Sequence, residues 1–176
     1  VDIDNGAASI DLGANVLAAG GNINFGTTNV VVSTGSTVTT TGAGTVDFGG
    51  TVNGDGDSDN LTVNTGSGAL TFSGAVGDAN AIGILDINAT GGSVDFDSTI
   101  DAPTTELNIS GAGAVTVDGA MGNGTALGSV TIAGTSVSVN NIGGAGDGVT
   151  GATQITSSTG NVTFTGTTYR TADTQT

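Results

Sequence analysis

The 176-residue chain contains no cysteine, histidine, tryptophan or lysine, and it has one proline and one basic residue, Arg170. Because histidine and cysteine are absent, the chain cannot form a zinc site from the usual ligands. A thiol nucleophile and a Ser-His-Asp triad are excluded for the same reason. Without lysine, a Walker A phosphate site and Schiff-base chemistry are excluded as well. Because most common catalytic groups are missing, we expect the protein not to be an enzyme.

Positive charge and long apolar runs are also scarce. The chain has 16 acidic residues against one basic residue, a formal net charge of −15. Such a charge repels phosphate backbones and anionic lipid surfaces, so we expect no nucleic-acid partner. No apolar run approaches the ~20 residues of a membrane helix, so we expect no membrane insertion.

An internal repeat organises what is present. All five Phe residues end a motif x-Φ-x-Phe, where Φ is apolar, and two further copies have Val in the Phe position. The final residues of this Phe/Val column are Phe25, Phe48, Phe72, Phe96, Val117, Val139 and Phe164. Their spacings are 23, 24, 24, 21, 22 and 25 residues, so the sequence repeats about every 23 residues.

Two further apolar columns follow the same period. The column ahead of the Phe/Val column contains Leu61-x-Val63, Leu85-x-Ile87, Leu107-x-Ile109, Val130-x-Ile132 and Thr153-x-Ile155. The column behind it contains Val52, Val76, Ile100, Met121, Ile142 and Tyr169. Alternation of this kind predicts half-buried strands, so each repeat holds three short strand segments.

Glycines stand shortly before the second strand of most repeats: Gly44, Gly68, Gly92, Gly113, Gly134 and Gly160. We interpret them as corner residues that require a positive φ angle, which a Cβ atom disfavours. Longer loops follow the third column, at Asn53–Asn60, Gly77–Gly83, Asp101–Glu106, Met121–Leu127 and Gly143–Thr150. We expect these loops to leave the protein along a common edge.

Together these patterns predict an all-β fold, a right-handed parallel β-solenoid (β-helix). It has about 23 residues and three short strands per coil. Residues 1–176 form one segment of roughly seven coils, about 34 Å long at ~4.8 Å per coil. Residues 1–20 read as an irregular first coil, with Ile3 and Leu12 in its two columns. Because neither end carries a visible cap, we expect the segment to belong to a longer chain or to an end-to-end assembly.

An acidic loop, Asp55-Gly56-Asp57-Ser58-Asp59-Asn60, is the sharpest local motif. Alternating carboxylates on a flexible loop can converge on a hard cation, so Asp55, Asp57 and Asp59 are candidate ligands for Ca²⁺. The loop resembles the first half of an EF-hand loop but lacks its sixth-place Gly and its later Glu. The alternative interpretation is a solvated acidic turn.

Asp97 and Asp118 each follow the Phe/Val column in neighbouring coils. Stacked in register, their carboxylates lie one coil apart, as a polysaccharide hydrolase or lyase on a β-helix could use them. The alternative interpretation is that both carboxylates are simply solvated at the surface, with or without a shared cation. Abundant Thr raises a second alternative, an ice- or carbohydrate-binding solenoid, although the outward residues of the second strand form no regular Thr lattice.

Five Asn residues stand in Asn-x-Ser/Thr sequences: Asn60, Asn88, Asn108, Asn123 and Asn161. They are acceptor sites only if the host glycosylates exported proteins.

The repeat style is itself informative. Gly21-Asn22-Ile23-Asn24-Phe25 and Gly160-Asn161-Val162-Thr163-Phe164 resemble the repeats of large secreted bacterial exoproteins, as does the stretch at 111–120. These exoproteins are the filamentous-haemagglutinin-like and autotransporter-like surface proteins. The resemblance extends from Gly21 over nearly the whole chain. It implies a right-handed β-helical shaft, export to the cell surface, and a role in adhesion, biofilm or extracellular structure.

The sequence therefore predicts an extracellular structural or adhesive protein that forms a rigid fibre or filament shaft. We expect self-association, end to end or lateral, and contacts with glycans or proteins on host or neighbouring cells. Ca²⁺ is the candidate cofactor.

Overall fold

The computed structural model describes residues 2–3, 8–101, 106–144 and 148–172. None of these residues is helical, and no helix among them is long and apolar enough to cross a membrane. The chain forms short strands separated by turns and bends. The strands, in chain order, are β1 (Ser9–Leu12), β2 (Val16–Ala18), β3 (Ile23–Asn24), β4 (Asn29–Val32), β5 (Ser36–Thr40), β6 (Val46–Phe48), β7 (Val52–Gly54), β8 (Leu61–Thr65), β9 (Leu70–Phe72), β10 (Ile84–Ala89), β11 (Val94–Phe96), β12 (Glu106–Val117), β13 (Ser129–Val139), β14 (Thr153–Ser157) and β15 (Val162–Phe164).

Every strand pair is parallel, and each strand pairs with its equivalent in the next coil. The first face runs β2-β5-β8-β10-β12-β13-β14, and the second runs β3-β6-β9-β11-β12-β13-β15. The third face runs β1-β4-β7 and continues as single bridges down to Tyr169. This confirms the β-solenoid, with about six turns spaced 21 to 25 residues apart along the second face. The hand of the winding stays a prediction.

The predicted columns are the core of the solenoid. Phe48, Phe72 and Phe96 are register partners, followed by Val117 and Val139. The rings from Phe25 to Phe96 stack with centroids 4.5, 4.8 and 4.7 Å apart and planes within 7°. All four rings are at most 1% exposed. The spacing follows from the backbone, because parallel strands hold equivalent residues ~4.8 Å apart.

The corner glycines have a different cause from the one predicted. None of the six glycines ahead of the second strand has a positive φ angle. A Cβ atom at Gly68 would collide with the backbone carbonyl of Gly44, and one at Gly92 with that of Gly68. These residues are therefore Gly because successive coils approach closely at this corner. Positive φ angles occur elsewhere, for example at Gly42 and Gly91.

The structure of the N-terminal coil shows that the columns assigned to Ile3 and Leu12 were wrong. Leu12 pairs with Val32, which places it on the third face, while Asp2 pairs with Asn24 on the second. Ile3 and Leu12 are therefore not the two columns first assigned to them. The chain from Leu12 to Phe25 therefore passes over the first and second faces and does not complete a full turn, which explains why this interval is short. The described N-terminal residues keep the register of the later coils.

A fourth inward column was not predicted. Ile82, Leu127 and Val149 each lie where a long loop returns to the solenoid, and each is at most 3% exposed. Leu127 pairs with Val149, and Val149 pairs with Thr171. The loops thus leave and re-enter the same face, anchored by a buried residue. The predicted loops at Asp101–Glu106 and Gly143–Thr150 lie partly outside the described residues.

Candidate functional site

Alternation along the second face places three Asp side chains outside. In β11, Val94 and Phe96 point into the core and Asp95 points outward, so Asp97, two residues on, faces the same side. Asp118 occupies the position of Asp97 in the next coil. The amide of Asp97 donates to Phe72 O and that of Asp118 to Phe96 O, both at 2.9 Å. The predicted stacking of Asp97 on Asp118 is thus present.

The cluster is larger than the sequence pair. One carboxylate oxygen from each of Asp95, Asp97 and Asp118 lies within 4.8 Å of the others. Sequence reasoning missed Asp95 as a member, although the Asp95-Phe96-Asp97 alternation was a sufficient signal. Converging carboxylates are what Ca²⁺ binds, and clusters of exposed acidic groups also occur without an ion.

Asp95 has the most unusual environment of the three. Burial raises the pKa of its carboxyl above the ordinary value, and the charges of Asp97 and Asp118 raise it further. Its Oδ1 atom is buried and, in the described structure, accepts no hydrogen bond. The folded protein therefore disfavours the ionised form of Asp95, because that form brings an uncompensated charge next to two others.

Oxygen-bearing side chains continue the column on both sides of the cluster. Ser73 precedes Asp97 by one coil, and Asn140 and Thr165 follow Asp118, all with equivalent backbone hydrogen bonds. The Asn140 side-chain amide also donates to Asp118 O. The outside corner of the solenoid thus presents a row of hydroxyl, carboxylate and amide groups, one per coil.

The predicted calcium loop lies elsewhere, directly after β7. Asp55 and Asp57 are exposed, and the Asp57 amide donates to Asp55 Oδ1 at 3.1 Å, which turns the loop back on itself. Ser58 has a φ of 61°, and Asp59 O accepts from the Gly83 amide. Among the described residues, the three carboxylates within 4.8 Å of one another are those at the other site. The role of Asp55, Asp57 and Asp59 in binding Ca²⁺ stays a prediction.

The acceptor asparagines differ in their surroundings. Asn60 Oδ1 accepts from the Ile84 amide at 2.7 Å. Asn88 belongs to a polar ladder on the first face, donating to Asn64 Oδ1 and accepting from Ser110 Oγ. Asn161 and Asn123 are exposed, and Asn108 is half-buried. Asn60 and Asn88 are exposed as well, so exposure sets only the half-buried Asn108 apart from the other acceptors.

The outward residues of the second face keep the mixed composition expected from the sequence. Asp47, Thr71, Asp95, Thr116 and Ser138 are consecutive register partners. Ice binding by a solenoid requires a flat, regular array, and this column alternates charged with neutral groups. The column therefore favours hydration over ice binding.

The C-terminal end exposes core positions. Val162, Phe164 and Tyr169 are 36, 49 and 41% exposed, although their equivalents in earlier coils are buried. With Ile155 and neighbouring residues they line a concavity of about 450 Å³. The rings of Phe164 and Tyr169 meet edge to face at 4.6 Å. The described part of the chain therefore presents an apolar end surface.

The N-terminal end has a smaller counterpart. Ile3, Ile10, Leu12, Val16 and Phe25 contribute to a concavity of about 350 Å³. Leu17 next to it is 68% exposed. Ile10, Leu12 and Phe25 are nonetheless buried, and Leu17 points outward from β2, so this end exposes less apolar surface than the C-terminal end.

Comparison with known proteins adds no relative: the chain matches no protein-family model, no curated protein and no solved structure. The repeat fold and the residues on its surface are therefore the basis for any functional assignment.

Proposed function

We propose that the chain is an extracellular structural and adhesive protein that forms the rigid shaft of a surface fibre or filament. The observation that carries this proposal is the unbroken register of the Phe/Val column from coil to coil. A repeat protein of this kind contacts only its neighbouring coils and grows in one dimension. The fold therefore provides an elongated rod rather than a binding cleft.

Rigidity follows from the way the coils are joined. Parallel backbone hydrogen bonds connect each coil to the next on the first and second faces, and bridges connect them on the third. One buried apolar cluster runs from Ile10 to Val149. Bending the rod would stretch hydrogen bonds and separate stacked rings at the same time. A shaft needs this resistance to bending.

The surface supports an adhesive role. The outward rows contain hydroxyl, amide and carboxylate groups, which can donate to and accept from sugar hydroxyls and protein backbones. The partners we propose are glycans or proteins on host or neighbouring cells. The net charge of −15 keeps parallel rods apart and disfavours nucleic acid and anionic lipid. Catalysis is not part of the proposal.

Calcium is the proposed cofactor of assembly. A divalent cation held between the acidic loops of two rods, at Asp55, Asp57 and Asp59, would offset their repulsion and permit lateral association. The Asp95, Asp97 and Asp118 cluster is a second place where such a cation could act. Cell-surface location follows from the shaft role and from the resemblance to secreted exoproteins.

Electron microscopy of native surface material, with and without EDTA, tests the proposal. We expect rods much longer than the ~29 Å that about six turns span at ~4.8 Å per turn. If Ca²⁺ joins rods laterally, EDTA separates bundles into single rods, and replacing Asp55, Asp57 and Asp59 by Asn has the same effect. Compact, isolated particles in both conditions would overturn the shaft function. A polysaccharide-cleavage assay on Asp97→Asn and Asp118→Asn would then test the hydrolase alternative.

A further inference from the structure

Two Asn-Gly pairs within the described residues lie in contrasting surroundings. Asn53-Gly54 belongs to β7, and Asn123-Gly124 lies in the loop that follows Met121. In such a pair the Gly nitrogen can attack the Asn side-chain amide, because Gly has no Cβ atom to hinder the approach. The attack requires that the Gly amide can leave its hydrogen bond and that the Asn side chain can turn toward it. The surroundings of each pair therefore decide whether it reacts.

The pair in β7 is held by the solenoid wall. Both residues pair with β4, and the Gly54 amide donates to the backbone carbonyl of Asn80 at 3.1 Å. The Asn53 side chain accepts a hydrogen bond from the Ala79 amide at 3.0 Å. Gly54 is buried, and a Cβ atom on it would lie 1.9 Å from Ala81 O, so the backbone has no room to shift. An attack at Asn53 would require the wall to open.

The pair in the loop is held by one side chain. Asn123 and Gly124 are both exposed. The Gly124 amide donates to Asp101 Oδ1 at 3.0 Å, and the Asn123 amide donates to the same oxygen at 2.7 Å. A Cβ atom on Gly124 would meet Asp101 Oδ2 first, at 3.6 Å, which is an ordinary contact. The attacking nitrogen is thus accessible, and its proton is already directed at a carboxylate.

We propose that Asn123 is a self-modification site, where intramolecular deamidation with Asp101 as the general base produces an aspartyl or isoaspartyl residue. The Gly124 nitrogen gives its proton to Asp101 Oδ1 and forms a bond to Asn123 Cγ. The bond between Cγ and the side-chain nitrogen then breaks, and this nitrogen leaves as ammonia with the proton that Asp101 held. Water opens the resulting succinimide ring at either of its two carbonyl carbons.

The distance supports this role for Asp101. A general base must lie within about 2.6–3.2 Å of the atom whose proton it takes, and Asp101 Oδ1 lies 3.0 Å from the Gly124 nitrogen. Each conversion adds one negative charge to a chain of net charge −15 and removes the acceptor sequence Asn123-Gly124-Thr125. The conversion does not depend on the proposed shaft function.

Peptide mass spectrometry of the folded chain, incubated at neutral pH, tests the site. Conversion replaces an amide by an acid and raises the mass of the peptide. We expect Asn123 to convert about a hundredfold faster than Asn53, because the pair in β7 cannot reach the attacking geometry. In urea we expect similar rates at both sites, since both are Asn-Gly pairs. Equal rates in the folded chain, or no conversion at Asn123, would overturn the proposal.

Asp101→Asn tests the general base, because an amide oxygen can still accept both backbone hydrogen bonds but takes up a proton far less readily. We expect conversion of Asn123 to slow about tenfold, less than most general bases provide, because a carboxylate is a weak base at neutral pH. Asp47→Asn removes the same charge on the second face and is expected to leave the rate unchanged. Circular dichroism checks that both variants are folded. An unchanged or faster conversion in Asp101→Asn would overturn the role of Asp101.

Discussion

At the scale of single residues, the stacked phenylalanines contribute most to the core. Phe72 lies between Phe48 and Phe96, with ring centroids at 4.8 and 4.7 Å, and is fully buried. We expect Phe72→Ala to lower the free energy of unfolding by about 3–5 kcal/mol, because it leaves a cavity between two rings. Urea denaturation measures the change. Phe164→Ala, at a half-exposed position, is the matched control, and an equal loss there would contradict the assignment.

The corner glycines give a second prediction. A Cβ at Gly68 meets the carbonyl of Gly44, which is backbone and cannot rotate away. We expect Gly68→Ala to cost about 1–3 kcal/mol of stability by forcing neighbouring coils apart. Gly35→Ala is the control, since nothing lies within 4 Å of its added Cβ. Equal melting temperatures for the two variants would show that the corner accommodates a Cβ atom at Gly68 and would contradict this prediction.

Asp95 gives a prediction on pH. Its pKa is raised by burial and then by Asp97 and Asp118, so its stabilising contribution is complete below the ordinary Asp value of 3.8 and is lost as the pH rises through the raised value. We expect Asp95→Asn to stabilise the protein at neutral pH, with a gain that shrinks toward acid pH. Urea midpoints across this range measure it. Asp47→Asn, in the same outward column, controls for net charge, and a gain independent of pH would contradict the cause.

At the scale of elements, the long loops are held by the buried residue at which each returns. Leu127 is fully buried and pairs with Val149, whereas Thr125 in the same loop is exposed. We expect Leu127→Ala to cost about 2–5 kcal/mol and Thr125→Ala to cost almost nothing. Thermal denaturation of both variants checks this. If Leu127→Ala lowered the stability only slightly, the position of the loop would be determined by the loop itself and not by the packing of Leu127 in the solenoid core.

Strand positions were readable from the sequence because each strand alternates and each coil repeats the alternation. Phe48, Phe72 and Phe96 could be aligned by spacing alone, and the structure pairs them as aligned. Leu12 was misplaced because a single coil offers no second copy to confirm its column. Ile82 was missed because loop length varies between coils, so its column shows no constant period.

The candidate site was partly predictable for the same reason. Asp97 and Asp118 follow the Phe/Val column at a fixed offset, so their stacking follows from the repeat. Asp95 joins them because strand alternation turns it to the same side as Asp97, a signal that the sequence contained but that was missed. The cause of the corner glycines was beyond the sequence, because a close approach between coils and a positive φ angle both select Gly.

At the scale of the whole molecule, the account combines a stiff, buried column with a surface of one charge sign. Hydrogen bonds and stacked rings act along the rod axis, while the charge of −15 acts between rods. In the proposed function, divalent cations held between acidic loops would offset this repulsion where rods lie side by side.

Cryo-electron microscopy of the native material tests the proposed shaft function most directly. If the solenoid axis is the fibre axis, averaged images contain a layer line at ~4.8 Å along the fibre, and each fibre is a continuous rod. Compact particles without an axial repeat, or a ~4.8 Å repeat that runs across the fibre, would contradict the claim that this chain forms a shaft.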